Sequence, residues 1–132
     1  MTLDPNFTAG IEYEYIPYSS ATYSQGGVSS NPWLDGSSVK FGFEYTPAAW
    51  LALRGGYHSQ QEVFQATGNP NHNEVVTYDV FSAGAGFKCG SIYLNIAFEY
   101  FDRQYEDLWL TNGNINKETQ YNIAAEISYS LR

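Results

Sequence analysis

Seven charged residues carry the only chemistry that recurs at regular spacing in this chain: Glu12, Glu14, Lys40, Glu44, Arg54, Glu99 and Glu126. Each falls on the polar side of a run in which apolar and polar residues alternate. Paired carboxylates at a set separation across a cleft can hydrolyse glycosides. Any alternating strand produces such pairs, however, and no aromatic sugar subsite accompanies these. His58 and His72 belong to a strand end and to a Gly/Asn/Pro loop, without the HxxE or HExxH spacing of a zinc site. There is no GxSxG nucleophile turn and no phosphate-binding loop, and Gly84-Ala85-Gly86 leads into a strand rather than a helix. Cys89 is the single cysteine, so it has no disulfide partner, and it reads as an incidental turn residue. The acidic stretch 102–107 reads as a solvated loop before it reads as a calcium loop. Neither an enzyme, a metal nor a cofactor is therefore expected.

Two readings of the seven charges remain. They line a charged lumen that a solute crosses, or they form cross-strand ion pairs and hydrogen bonds that fill a barrel interior. Two cations among five carboxylates leave such a ladder short of neutral, which invites water or a bound ion.

The elements that position these residues are strands. Period-2 alternation marks six segments, near 6–16, 38–46, 49–59, 76–88, 91–101 and 119–131. In the first, Phe7, Ala9, Ile11, Tyr13 and Tyr15 oppose Thr8, Gly10, Glu12 and Glu14. In the fifth, Ile92, Leu94, Ile96, Phe98 and Tyr100 oppose Tyr93, Asn95, Ala97 and Glu99. The fourth is less clean, with Asp79 out of phase near its start. The class is all-β, an antiparallel up-and-down meander of six long strands in one domain.

Loop lengths sort by position. Thr46-Pro47-Ala48 and Cys89-Gly90 suit tight hairpins, and Gly90 can supply a positive φ. The connections near 17–37, 60–74 and 102–119 are long and rich in Asn, Gly, Ser and Asp. In an up-and-down meander every long loop then falls at one end, as in outer-membrane barrels. Runs of about nine to thirteen residues are also long for globular strands but suit a tilted membrane crossing.

Composition agrees. Of 132 residues only 15% are charged, while 17% are aromatic and 12 are Tyr. Charge depletion with Tyr enrichment fits a wall that meets lipid on one side, with aromatic rings at its edges. Tyr15, Tyr57 and Tyr100 are girdle candidates near the long-loop end, and Tyr45, Trp50, Tyr93 and Tyr129 near the tight-turn end. The mean hydropathy of −0.37 argues against membrane helices but not against a barrel, whose strands average out. A net charge of −8 with six Lys plus Arg leaves no basic stripe for nucleic acid.

Several runs together resemble a known family. Phe43-Glu44-Tyr45-Thr46-Pro47 precedes Trp50-Leu51-Ala52-Leu53-Arg54-Gly55-Gly56-Tyr57. Phe81-Ser82-Ala83-Gly84-Ala85-Gly86-Phe87 precedes a strand containing Ala97-Phe98-Glu99-Tyr100. This pattern resembles the C-terminal part of the outer-membrane long-chain fatty-acid transporters (the OmpP1/FadL/TodX group). The resemblance implies a piece of a bacterial outer-membrane β-barrel that passively admits hydrophobic small molecules. The transporters' N-terminal plug and most of their wall strands have no counterpart here, and Ser130-Leu131-Arg132 departs from a terminal aromatic. None of the family's ligand-contacting residues is carried over.

The expected partners are thus membrane lipid or detergent and a hydrophobic small-molecule ligand. No secretion signal is legible at Met1-Thr2-Leu3-Asp4-Pro5, so the expectation is either a signal removed with an upstream region or a chain that is a fragment. Six strands are too few for a membrane barrel, which begins at about eight. Closure then needs a homo-oligomer or the remainder of a larger barrel. The rival reading is a soluble small barrel or sandwich, a binding or structural module with its apolar faces packed inside.

Overall fold

A computed structural model describes residues 4–63, 75–109 and 112–130. In chain order the strands are β1 (Phe7–Ile16), β2 (Tyr23–Gln25), β3 (Val28–Ser30), β4 (Gly36–Ala48), β5 (Leu51–Gln61), β6 (Thr77–Cys89), β7 (Ile92–Trp109) and β8 (Asn112–Tyr129). Apart from the small β2–β3 hairpin, they form one antiparallel sheet in the order β1-β4-β5-β6-β7-β8. Neighbours in the sheet are neighbours in sequence, so this is the expected all-β meander. It does not close: β1 and β8 are the two edges and do not pair.

The alternation in sequence becomes two chemically opposite faces. Hydrogen-bonded register carries one row straight across all six strands as Ile11, Phe41, Tyr57, Phe81, Tyr100 and Tyr121. The next row below on the same face is Ala9, Phe43, Gly55, Ala83, Phe98 and Ile123, and the one below that Phe7, Tyr45, Leu53, Ala85, Ile96 and Ala125. No charge interrupts these rows. Tyr57 and Phe81 pack at 5.0 Å between ring centroids and Tyr100 and Tyr121 at 5.3 Å, the cross-strand aromatic pairs that favour a pleated sheet.

Among the described residues nothing covers that face. Ile11 is 79% exposed, Ile123 78% and Ile127 75%, and Val76 is the single buried hydrophobic among the described residues. The strands make one open layer, not the two layers or the closed barrel of a self-contained soluble module.

The apolar band has a constant height and a tilt. On β1 it runs from Phe7 to Tyr15, on β8 from Tyr129 to Tyr121, nine residues in each case. The row through Phe7 reaches β8 at Ala125, four residues above Tyr129, and the row through Ile11 reaches it at Tyr121, although β1 stays aromatic up to Tyr15. Both borders therefore slip by four residues over five strand steps. With about 3.3 Å per residue and 4.8 Å between strands, the slip tilts the strands by roughly 30° from the band normal.

Several boundaries differ from expectation. The first tight turn is Ala49-Trp50, not Thr46-Pro47-Ala48. Pro47 cannot donate to the ladder, so register slips between Tyr45 and Ala48, and pairing resumes at Ala48 with Leu51. The second turn is Gly90-Ser91, with Gly90 at φ +61° as a tight hairpin requires. The third long loop is a ribbon: β7 and β8 stay paired from Asp102–Thr119 out to Trp109–Asn112. Polar residues occupy both sides of that ribbon, so hydrophobic alternation carries no signal there. The first long connection holds a 3-10 turn at Tyr18–Ser20 as well as the β2–β3 hairpin.

Candidate functional site

The opposite face of the sheet gathers all seven charged candidates. Register sets Glu12 beside Lys40, Glu44 beside Arg54, Glu99 beside Asn122, and Glu126 beside Asn95. Strand pairing brings these side chains together because alternate residues of each strand share a face. Lys40 Nζ lies 2.7 Å from Glu12 Oε1 and 3.5 Å from Glu14 Oε2. Arg54 Nε donates to Glu44 Oε2 at 2.6 Å, and its Nη1 donates to Asn95 Oδ1 at 3.2 Å. Asn95 Nδ2 continues to Glu126 Oε2 at 3.4 Å, and Asn122 Nδ2 donates to Glu99 Oε1 at 3.0 Å. These are half-exposed groups in water's reach, so each pair contributes little on its own. As a ladder they hold the polar face in one arrangement.

Between the Glu12–Lys40 row and the Glu44–Arg54 row lies a row of small residues, Gly10, Gly42, Gly56 and Ser82, ending at Glu99 and Asn122. The row below adds Gly84, Ala97 and Ala124. The polar face therefore has a shallow trough between two charged ridges.

A second cluster sits at the long-loop end. Arg103 Nη1 donates to Glu62 at 2.9 Å and Nη2 donates to Glu118, while its guanidinium also lies over the rings of Phe101 and Tyr105. Neither Arg103 nor its partners were among the expected site residues, because 102–119 read as a loop. No periodic signal marked them, since Phe101 and Tyr105 fall on the polar-face side of β7, out of phase with Ile92, Leu94, Ile96, Phe98 and Tyr100.

Comparison with known protein families, characterised proteins and solved structures finds no match for this chain. Its chemistry must be read from the geometry alone.

The aromatic candidates divide. Tyr15, Tyr45, Tyr57, Tyr100 and Tyr129 stand on the apolar face. Tyr93 does not: it occupies an odd position of β7, opposite Lys88, and shares the polar face with Asn95. Lys88 Nζ rests 5.3 Å from the centre of its ring. Trp50, in the turn, lines a hollow together with Tyr93, Lys88, Arg54 and Asn95. His58 lies within β5 rather than at its end, its Nε2 3.1 Å from Gln60 Oε1 and its ring edge-on to Tyr78. His72 lies outside the described residues. Among the described residues no group of three His, Cys, Asp or Glu side chains could hold a metal. Asp102, expected to open an acidic loop, instead accepts a hydrogen bond from Thr119 across the ribbon at 3.1 Å.

Outside the sheet, Asp35 fastens the first long connection. Its carboxylate accepts from the Ser19 amide at 2.8 Å and from the Tyr15 hydroxyl at 2.7 Å. These bonds, Ser19's first, hold the Asp35 carboxyl below the usual carboxylate range.

Proposed function

We propose that this sheet is a segment of an outer-membrane β-barrel wall that gives hydrophobic small molecules a passive route across the membrane. The observation that carries the reading is the apolar band. It is nine residues high on both edge strands and slips by the same four residues at top and bottom. A nine-residue strand is about 30 Å long and, tilted by roughly 30°, spans about 25 Å, the height of the apolar band on such barrels. A soluble protein seldom leaves so large an apolar surface bare.

Further features support it. Tyr side chains stand at both borders of the band, where amphipathic rings favour the headgroup region. The β4–β5 and β6–β7 turns lie at one end of the sheet, and the long β1–β4 and β5–β6 connections and the extended β7–β8 ribbon lie at the other, as expected of periplasmic and extracellular sides. The trough of Gly10, Gly42, Gly56, Ser82, Gly84, Ala97 and Ala124 on the polar face gives a solute room beside the charged ridges. The free edges of β1 and β8 require more antiparallel strands in lipid, supplied by copies of this chain or by further wall sequence. The pattern of loops, aromatics and glycines that resembles the fatty-acid transporter family fits the same role.

The test is refolding with and without detergent, followed by circular dichroism and light scattering. The wall reading expects β structure and a defined mass only in detergent or lipid vesicles. A folded, compact monomer or dimer in plain buffer that takes up no detergent sinks it. In vesicles loaded with a hydrophobic dye, the folded chain together with its closing strands should speed dye exchange, whereas the Gly42→Leu/Gly56→Leu variant, with the trough filled, should slow it.

A further inference from the structure

At the tight-turn end of the polar face, β4 to β7 line a partly open hollow of about 170 Å³. Its lining includes the aromatic residues Trp50 from the turn, Phe87 from β6 and Tyr93 from β7, and its polar residues are Thr46, Arg54, Lys88 and Asn95. We propose that this hollow binds a single-ring aromatic carboxylate, with the ring between Trp50 and Tyr93 and the carboxylate on Lys88.

Size, shape and charge each narrow the ligand. A cavity of roughly 150 Å³ accommodates one benzene ring, so the hollow has room for one ring. Aromatic lining residues favour an aromatic ligand, since offset or edge-to-face ring contacts add to the gain from burial. Gly86 leaves the space that the Asn95 and Arg54 side chains fill at the polar rim. A Cβ there would meet Asn95 Oδ1 at 2.8 Å and Arg54 Nη1 at 3.1 Å, so any side chain would displace the polar rim.

The charge argument separates the cations. Lys40, Arg54 and Arg103 each hold a carboxylate of this chain. Lys88 holds none among the described residues, although acidic groups outnumber basic ones 14 to 6 in the sequence. Its ammonium instead lies over Tyr93, at the rim of the hollow. Arg54 is already satisfied by Glu44 and Asn95. One uncommitted cation matches a monoanion, not a phosphate dianion. The assignment depends only on β4 to β7, so it stands or falls independently of what covers the apolar face or closes the sheet.

The experiment is a fluorescence titration of the full chain, under whichever condition keeps its β structure, with Trp33 and Trp109 changed to Phe so that Trp50 reports alone. Benzoate, benzyl alcohol and acetate are the probes. Saturable quenching is expected with benzoate, at least fivefold tighter than with either of the others. Lys88→Met should erase the advantage of benzoate over benzyl alcohol while leaving benzyl alcohol binding intact, which shows that the hollow is still formed. Lys88→Arg should keep the advantage. The proposal is overturned by benzoate binding no tighter than acetate or benzyl alcohol, by Lys88→Met binding benzoate as well as the parent, or by no saturable response at all.

Discussion

The Tyr57 hydroxyl donates to Asp79 Oδ1 across β5 and β6 at 2.7 Å. Both residues stand on the apolar face, Tyr57 in the last wholly apolar row and Asp79 one row above it. The pair marks the upper border of the band, with an aromatic ring below and a carboxylate above. It also accounts for Asp79 breaking the alternation of its strand: the chain leaves the apolar zone there. Tyr57→Phe removes the bond and leaves the carboxylate exposed enough to be hydrated. A loss of about 1 kcal/mol is expected in urea unfolding from detergent or vesicles, whereas Tyr45→Phe, whose hydroxyl has no such partner among the described residues, should cost less.

The two faces predict opposite responses to the same charge at adjacent positions. Ile96 lies at the middle of the band on β7, and Ala97 beside it faces the trough between Gly84 and Ala124. In a bilayer Ile96→Lys should cost roughly 2–4 kcal/mol of folding free energy, because the ammonium is forced into hydrocarbon. Ala97→Lys places the same charge within reach of Glu99 and Glu126 and should cost far less. Urea titrations of refolding into vesicles measure both. Equal costs, or a larger cost at Ala97, would show that the assignment of faces is inverted.

Asp35 gives a pH dependence with a defined sign. Its carboxyl titrates below the usual range because the charged form accepts from Ser19 and Tyr15. A group whose folded value is depressed stabilises the fold fully above its unfolded value and loses that contribution as pH falls through the folded one. Protection of the Ser19 amide from hydrogen exchange should therefore hold at neutral pH and fall below the ordinary carboxylate range. In Asp35→Asn the same amide should show weak protection with no acid transition.

Arg103 bridges two carboxylates from different elements, Glu62 after β5 and Glu118 on β8. The Arg103 and Glu62 side chains are each 23% exposed, so this pair is better shielded from solvent than the half-exposed ladder in mid-sheet. Arg103→Leu leaves Glu62 and Glu118 facing each other without a cation, for an expected loss of about 1–3 kcal/mol. In the Arg103→Leu/Glu118→Gln double variant part of that loss should return. A strictly additive double variant would show that the bridge is not a unit.

Much of this architecture is written in the sequence because period-2 alternation is a local property. The six sheet strands, the two faces and the seven charges on one of them follow from side chains pointing alternately up and down. Gly90 could be read as a turn glycine because few other residues adopt its positive φ. Other features depend on which strand meets which, and alternation within a strand says nothing of that. Only register aligns Ile11, Phe41, Tyr57, Phe81, Tyr100 and Tyr121 in one row, and only register reveals the four-residue slip of the band. The ribbon from Asp102 to Thr119 was hidden because both its faces are polar, so pairing there is fixed by backbone bonds and by contacts such as Thr119 to Asp102. The hollow at Trp50, Lys88 and Tyr93 was equally hidden. Its residues come from a turn and four strands up to 49 positions apart in sequence, and Tyr93 reads as one more strand aromatic until pairing places it opposite Lys88. What local alternation determined was the chemistry of each face; where residues meet on a face was decided by the long-range register of the sheet.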